Sequence, residues 1–308
     1  MTLVLQVLTH NDAHFLPHLF ASLRAQTDRN WTVYLREQSD HEEERRRIRS
    51  LAASSQLPCV VEEGENLGFA GGHQHLFEQH RAELVILLNA DLVLTPTYVA
   101  VLRRAFESDP SLASAAGLIY RFELQEGAVH KTSVVDSAGL TETPWGRVKD
   151  RTEIFQNPQE VFGVSGCAPM VRRAAVLSAS PDGLLFDPLY HSYKEDVDLA
   201  YRLRREHHRS LVIPQAVCYH HRALRSGWTR VRASAYQDVH SYRNHLWNLY
   251  QHVSRADWMR RGWMILPYEA AKAAYVFLRH PSAFVRAWRD TWRQRRHLAQ
   301  RRKALHTL

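Results

Sequence analysis

At 308 residues, with 45% hydrophobic and 23% charged side chains, the chain has the make-up of an ordinary globular protein, with one large core or a core plus an appended segment. Its three cysteines, Cys59, Cys167 and Cys218, are far apart and odd in number, which excludes a disulfide framework and cysteine-based metal spacing and points to a reducing compartment. The net charge of +8 is uneven: residues 255–303 hold 13 Lys/Arg against 3 Asp/Glu, so the body is slightly acidic and an anionic partner would meet the tail.

The first residues show neither a basic region nor a cleavage site, so no signal peptide is expected. Residues 3–8 form a short apolar run that predicts a buried strand, ending in the polar loop Thr9-His10-Asn11-Asp12. Phe15, Leu19 and Leu23 recur at four-residue steps and predict a helix over 13–26. Residues 31–35 read as a second strand running into Arg36-Glu37-Gln38-Ser39-Asp40, residues 42–53 as a charged helix, and residues 59–61 as a third strand. Strand and helix alternating at this spacing predict right-handed βαβ units and a parallel sheet.

Asn66-Leu67-Gly68-Phe69-Ala70-Gly71-Gly72 follows, with three glycines in five residues. Such a stretch lets the backbone approach a ligand or turn sharply before a helix. It lacks the Gly-Lys-Ser/Thr ending of a phosphate-binding P-loop, and it does not follow the first strand as a dinucleotide fingerprint does. Residues 84–88 are the most apolar run of the N-terminal half and predict a central strand buried on both faces. The run stops at Asn89-Ala90-Asp91, which places Asp91 at a strand's carboxyl end, where open parallel sheets bind ligands. A carboxylate that merely bonds a neighbouring loop is the alternative.

Pro96 starts a helix with Val99, Leu102 and Phe106 spaced for burial, and residues 113–120 read as a strand. Residues 121–159 are polar and broken by glycine and proline, which predicts irregular connections and β-hairpins. Residues 161–168 are small and apolar and would leave room for a substrate above the sheet. Residues 189–203 then pack Glu195, Asp196 and Asp198 into four positions ahead of a helix. Acidic residues suit a helix's first turn, which would make them caps. The lead-in of Leu189, Tyr190 and Tyr193 argues instead for a partly dry wall, where a carboxylate can serve as a base; spacing alone does not separate the two readings.

Residues 211–213 and 216–219 read as two strands, the second ending in His220-His221, and residues 236–253 as a helix. In the tail, residues 263–266 and 270–278 are apolar but interrupted by Glu269 and Lys272, too short and too charged for a membrane span. Trp258, Trp263, Trp288 and Trp292 among arginines predict helices lying in the interface of an anionic membrane. A helical cap packed on the body is the alternative.

Seven motifs in order carry a resemblance: Val7-Leu8-Thr9-His10-Asn11; the glycine stretch at 66–72; Leu88-Asn89-Ala90-Asp91; Gly166-Cys167 with Arg172-Arg173; Glu195-Asp196-Val197-Asp198-Leu199 with Arg202; His220; and Arg243-Asn244. From residue 3 to about 248 the chain resembles a family 2 glycosyltransferase of the GT-A fold, and within that family it is most similar to bacterial rhamnosyltransferases. The resemblance implies an α/β, Rossmann-like, mostly parallel sheet flanked by helices, forming a catalytic domain over 1–230. A basic, membrane-associating helical segment over 231–308 completes the chain.

The implied activity is inverting transfer of a sugar, with rhamnose as the candidate, from a nucleotide-diphosphate sugar to a glycan or lipid-linked acceptor in cell-surface polysaccharide synthesis. The implied place is the cytoplasmic face of the membrane. A non-catalytic module of the same fold, binding nucleotide or glycan within a larger assembly, is the alternative. Asp196 matches the family's catalytic base, with Glu195 orienting it or holding the acceptor. Thr9, Asn11, Glu37, Asn66, Gly68, Phe69, Gly72, Asn89 and Asp91 match the nucleotide-sugar site, and Gly166, Tyr193 and Glu195 the acceptor side. Asp91 and His220 match ligands of a divalent cation, Mg²⁺ or Mn²⁺. Glu37 stands where the family usually has an aspartate, and His73-Gln74 where it often has asparagine. Asp198 is expected to act as a surface carboxylate that caps the helix or pairs with Arg202 at the four-residue step. No nucleic-acid motif accompanies the basic tail, so an anionic membrane surface is its expected partner; a homo-oligomer is left open.

Overall fold

The structure, a computed structural model, describes residues 1–221 and 235–307. In chain order the elements are β1 (Leu3–Thr9), α1 (Leu16–Arg24), β2 (Thr32–Glu37), α2 (Glu42–Ser54), β3 (Cys59–Glu63), α3 (Gly68–Gln79), β4 (Leu84–Asn89), β5 (Leu92–Leu94) and α4 (Tyr98–Ser108). There follow β6 (Leu112–Gln125), β7 (Ala128–Ser137), β8 (Leu140–Glu142), β9 (Val148–Asp150), β10 (Gln159–Glu160), β11 (Met170–Arg172), α5 (Arg173–Ser178), α6 (Glu195–Arg205) and β12 (Arg209–His220). Four helices close the chain: α7 (Ala235–His252), α8 (Arg255–Arg279), α9 (Pro281–Arg293) and α10 (Arg295–Leu305).

A mixed sheet in the order β10-β12-β6-β11-β4-β1-β2-β3 runs through the molecule, with β5 on β12 and β7 on β6. The block β4-β1-β2-β3 is parallel throughout, as the alternating pattern predicts. Every residue of β1 is buried, and Gln6 in its middle is satisfied by the rings of His73 on α3 and His80 just past its end, each 3.0 Å away. A buried amide is tolerated only when bonded in this way. One apolar core lies between the sheet and α1 and α4; the other face is covered by α3, α5, α6 and α7, with Leu298 of α10 reaching into the same cluster.

Several boundaries differ from the sequence reading. The glycine stretch lies inside the first turns of α3 rather than ahead of it. Gly72 lets that helix settle on β1, because a Cβ there would stand 3.0 Å from both methyls of Leu8. The two strands expected at 211–219 are one, β12, with its register slipping between Ile213 and Val217 around Pro214. The expected hairpins at 121–159 are present as β6–β7 and β8–β9. The expected domain boundary at 230/231 lies outside the described residues.

The tail turns back on the body. Leu298, Arg301 and Leu305 of α10 are buried, while Trp263, Leu266, Trp288 and Trp292 of α8 and α9 stay exposed. No described helix is long and apolar enough to cross a membrane.

Candidate active site

The carboxyl ends of β1, β2 and β4 lie side by side, since β1 pairs with both of the others in register. Above them opens a cleft of about 750 Å³ whose wall includes Thr9, His10, Asp12, Gln38, Asn66, Gly68, Phe69, Asn89, Asp91, His191, Tyr193 and Tyr236. Seven of the residues singled out from sequence therefore share one cleft: Thr9, Asn66, Gly68, Phe69, Asn89, Asp91 and Tyr193.

Asp91 follows β4 and meets the end of β12. Its Oδ2 lies 3.3 Å from Nε2 of His220, and the Asn89 amide nitrogen lies 3.5 Å from the same Nε2. The other ring nitrogen, Nδ1, is 2.9 Å from Oδ2 of Asp136, whose Oδ1 accepts from Arg121 Nε at 3.1 Å. Burial disfavours charge on His220. Contact with Cys167 and with the Asp91 and Asp136 carboxylates more than offsets this, and its pKa stands well above the ordinary imidazole value. A histidine steadied through one nitrogen by a carboxylate and presenting the other to an acid is arranged as metal ligands are. One carboxylate and one imidazole suit a divalent cation that draws the rest of its shell from a substrate. Among the described residues no three such side chains are placed to hold one ion together. Asp12, on the loop after β1, is held above its ordinary pKa by burial, with the nearby Asp91 adding to the rise.

The loops after β1 and β2 are laced together. The Asn11 amide donates to Asp40 Oδ2 at 2.9 Å, and Asn11 N donates to Ser39 Oγ at 2.8 Å. Glu37 is fully buried beneath this floor; its carboxylate accepts from Ser39 N and, at 3.1 Å, from Thr9 Oγ1. Gln38 is the neighbour that reaches the cleft, and its side-chain oxygen accepts from Leu67 N at 3.2 Å. His73 and Gln74 likewise face inward: His73 meets Gln6, and Gln74 Oε1 accepts from Leu185 N at 2.8 Å.

Gly68 has φ +70°, and a Cβ on it would come 2.4 Å from the carbonyl oxygen of His191. Only glycine fits there. Its N–H is capped by Asn66 Oδ1 at 2.8 Å, and Ala70 N donates to the His191 carbonyl at 2.9 Å. The start of α3 is thus fastened to the loop that leads into α6.

That loop is strained. His191, Tyr193 and Lys194 all have positive φ, at 60°, 71° and 69°. Such residues cost about 1–3 kcal/mol each and persist only where the surroundings impose them. Here α7 imposes them: the Asn244 amide nitrogen lies 2.6–2.9 Å from the carbonyls of Tyr190, Ser192 and Tyr193, and Asn248 donates to the Lys194 carbonyl at 2.9 Å.

The three acids at the start of α6 part company. Asp196 is half-buried and accepts from Gly166 N at 3.0 Å and Val197 N at 2.8 Å. Gly166 packs between Asp196 and Phe69 of the cleft wall. Glu195 is buried, its Oε2 bonds to nothing among the described residues, and burial followed by repulsion from Asp196 raises its pKa well above the ordinary value. Asp198 is not the surface carboxylate expected from sequence. It is fully buried and bonded to Arg202 Nε at 2.9 Å, Arg301 Nη1 at 2.9 Å and His252 Nε2 at 2.8 Å. Of the lead-in residues only Tyr190 is buried; Leu189 and Tyr193 are exposed.

The sequence reading passed over Gln38, Asp12, His191 and Tyr236. Gln38 and Asp12 sit in loops it had marked. Nothing in the local pattern points to His191 and Tyr236, which meet at 2.8 Å only because α7 packs against the loop that leads into α6.

A family model described as glycosyl transferase family 2 matches residues 6–177, more than half of the chain. No curated protein sequence matches. Among solved structures, GalNAc-T7 with UDP, GalNAc and Mn²⁺ superposes with a TM-score of 0.66 at 13% identity, over 88% of this chain and 53% of that one. The mannosyltransferase PcManGT from Pyrobaculum calidifontis, in complex with GDP-Man and Mn²⁺, gives 0.52 at 15% identity, over 95% and 74%. TarS of S. aureus gives 0.51 at 14% identity, over 92% and 54%. The chain spans about half the length of the first and third, and at such identities the likeness establishes the GT-A fold.

Proposed function

We propose, from the premise that the chain belongs to glycosyl transferase family 2, that it moves a sugar from a nucleotide-diphosphate sugar to a glycan or lipid-linked acceptor with inversion at the anomeric carbon. The observation that carries this reading is the Asp91–His220 pair, 3.3 Å apart, with Asp91 on the cleft wall at the carboxyl ends of the parallel strands. Asp91 and His220 would hold a divalent cation, Mn²⁺ or Mg²⁺, which supplies positive charge against the diphosphate as it leaves. Solved relatives of this fold bound to UDP or GDP-mannose together with Mn²⁺ support the choice.

Asp136 steadies the His220 ring. Thr9, Asn66, Gly68 and Phe69 shape the walls where the nucleotide sugar lies, Asn11 ties the loops after β1 and β2 together at its edge, and Asn89 faces the sugar nucleotide beside Asp91. Glu37 acts from beneath, fixing Ser39 and Thr9, while Gln38 faces the nucleotide. Gly72 lets α3 sit close to β1.

Asp196 takes the proton of the acceptor hydroxyl as that oxygen attacks. Its two backbone hydrogen bonds fix the carboxylate in one orientation before the acceptor arrives. Burial and then the Asp196 charge favour the protonated form of Glu195 beside it, which sets the two carboxyl groups apart and leaves Asp196 as the base. Gly166 and Tyr193 flank the acceptor. Rhamnose is the candidate sugar, and cell-surface polysaccharide the setting.

The same reading places the protein on the cytoplasmic face of a membrane. Trp263 is 73% exposed and Trp292 68%, on basic helices that lie along the body rather than through a bilayer. Incubating the purified protein with a panel of nucleotide sugars and a cell-envelope extract, and reading nucleoside diphosphate release, tests the function. One donor should be consumed, and consumption should stop in excess chelator. No release from any donor would remove the reading.

A further inference from the structure

A second cavity, of about 450 Å³, lies between the β8–β9 hairpin, the loop entering α6, and helices α7 and α8. It shares no lining residue with the cleft, yet the two are adjacent along the chain: Tyr193 walls one and Lys194 the other. Three cations from three separate elements line it. Arg147 comes from the hairpin, Lys194 from the cap of α6 and Lys272 from α8.

None of the three forms an ion pair among the described residues. One carboxylate shares the lining, Asp238, and it pairs with Arg279 at 3.7 Å and His280 at 3.5 Å; Glu269, outside the lining, lies through Oε1 2.6 Å from His245 Nε2. Lys194 Nζ donates to the Val148 carbonyl at 3.0 Å, which sets the ammonium in the wall and leaves two of its hydrogens to give. Burial brings the Lys272 pKa down to about 7; Glu269 opposes the fall, and the Lys194 and Arg147 charges add to it. Three cations in a recess lined, among the described residues, by a single carboxylate, itself already paired, repel one another, and an entering anion would relieve that repulsion and restore the charge on Lys272.

We propose that this cavity binds a phosphate-type oxyanion carried by the acceptor, next to the helix whose first turn holds Asp196. Assigning the anion to the acceptor rests on the glycosyl-transfer reading; the anion site itself does not. The fit is to a compact, multiply charged group that can take hydrogen bonds from a guanidinium and two ammonium groups at once. A lipid head group and a soluble phosphate offer the same chemistry.

Calorimetric titration of the full-length protein with inorganic phosphate and with dihexanoyl phosphatidic acid, below its micelle concentration, tests the site. Nucleotide sugar is left out and chelator is present, so glycosyl transfer is not read and a cation-dependent site in the cleft stays silent. Both probes should bind. Lys272→Gln and Arg147→Gln should each weaken binding about ten-fold or more, and Lys272→Arg should retain it. Tighter binding of the lipid would assign the anion to a head group, and equal binding to a soluble phosphate. No binding to the unaltered protein, or equal binding by a folded Lys272→Gln, would overturn the site.

Discussion

The guanidinium of Arg301 brackets the carboxylate of Asp198, with Nη1 2.9 Å from Oδ1 and Nη2 3.1 Å from Oδ2, across 103 residues of sequence. With Arg202 and His252 on the same carboxylate, this ties α10 to the helix that begins with Asp196. The last helix of the basic tail is thus a clasp on the body, whatever its neighbours meet.

Breaking a buried ion cluster by removing one partner leaves charge uncompensated, at a cost of about 3–5 kcal/mol. Arg301→Met and Asp198→Asn should each lower stability by roughly that much in urea unfolding. The pH dependence has a definite sign. Burial would raise the Asp198 pKa, but Arg301 and Arg202 outweigh it, and His252 adds to them, so the folded value lies well below the ordinary one. The contribution is therefore present above the unfolded value of ~3.9 and fades as pH falls through the folded value. Asp198→Asn should lack that loss on the acid side.

Glu195 predicts the opposite slope. Its pKa is raised on folding, first by burial and then by Asp196. The folded protein binds the extra proton, so stability is complete below the unfolded value of ~4.3 and declines as pH rises through the folded one. Glu195→Gln should flatten that decline in unfolding curves collected at a series of pH values. An unchanged slope would mean that Glu195 is ionised where it sits.

These two acids show where sequence is a poor guide. The ends of β1 and β4 could be read directly, because apolar runs, broken in β1 only by Gln6, stop at polar residues, and the sheet puts Thr9 and Asp91 there. Asp198 could not. Its spacing to Arg202 gave the pair, but a charged run reads as a solvated face, and the partner that buries it is supplied by α10. Glu37 and Gln38 are adjacent, and only the turn at the end of β2 decides which one faces the cleft. The positive φ values at 191–194 leave no trace in composition, since no glycine stands there.

Asn244 holds that loop from α7. Asn244→Ala removes the amide that lies against three carbonyls and should cost about 1–3 kcal/mol. Amide exchange at residues 191–196 should quicken more than elsewhere, and turnover should drop with it. Uniform exchange across the chain would argue that the loop holds its shape unaided.

In the proposed cation site, Asp136 would act through His220, whose Nδ1 it holds at 2.9 Å. Asp136→Asn should weaken Mn²⁺ binding about 10–100-fold with nucleotide sugar present, as loss of an orienting partner generally does. Unchanged Mn²⁺ affinity in the variant would separate His220 from the metal.

The exposed tryptophans of α8 and α9 lie apart from the clasp. Trp263→Gln with Trp292→Gln should reduce binding to phosphatidylglycerol vesicles while leaving urea stability within about 0.5 kcal/mol, since both side chains are exposed. Added salt should weaken binding of the unaltered protein. Salt-independent binding, or equal binding by the double variant, would make these helices a cover for the body alone.

The central claim is that Asp196 is the base, and Asp196→Asn tests it most directly. The substitution keeps shape and, with its single amide oxygen, one of the two backbone acceptances, since Gly166 N meets Oδ2 and Val197 N meets Oδ1; it removes the basicity. A general base contributes about 10²–10⁴-fold to rate, so kcat should fall by that factor while donor affinity and urea stability stay close to the unaltered values. Asp198 variants cannot serve as the control, because they unfasten α10. A variant with unchanged kcat, or one whose loss follows stability or donor affinity instead, would contradict the account.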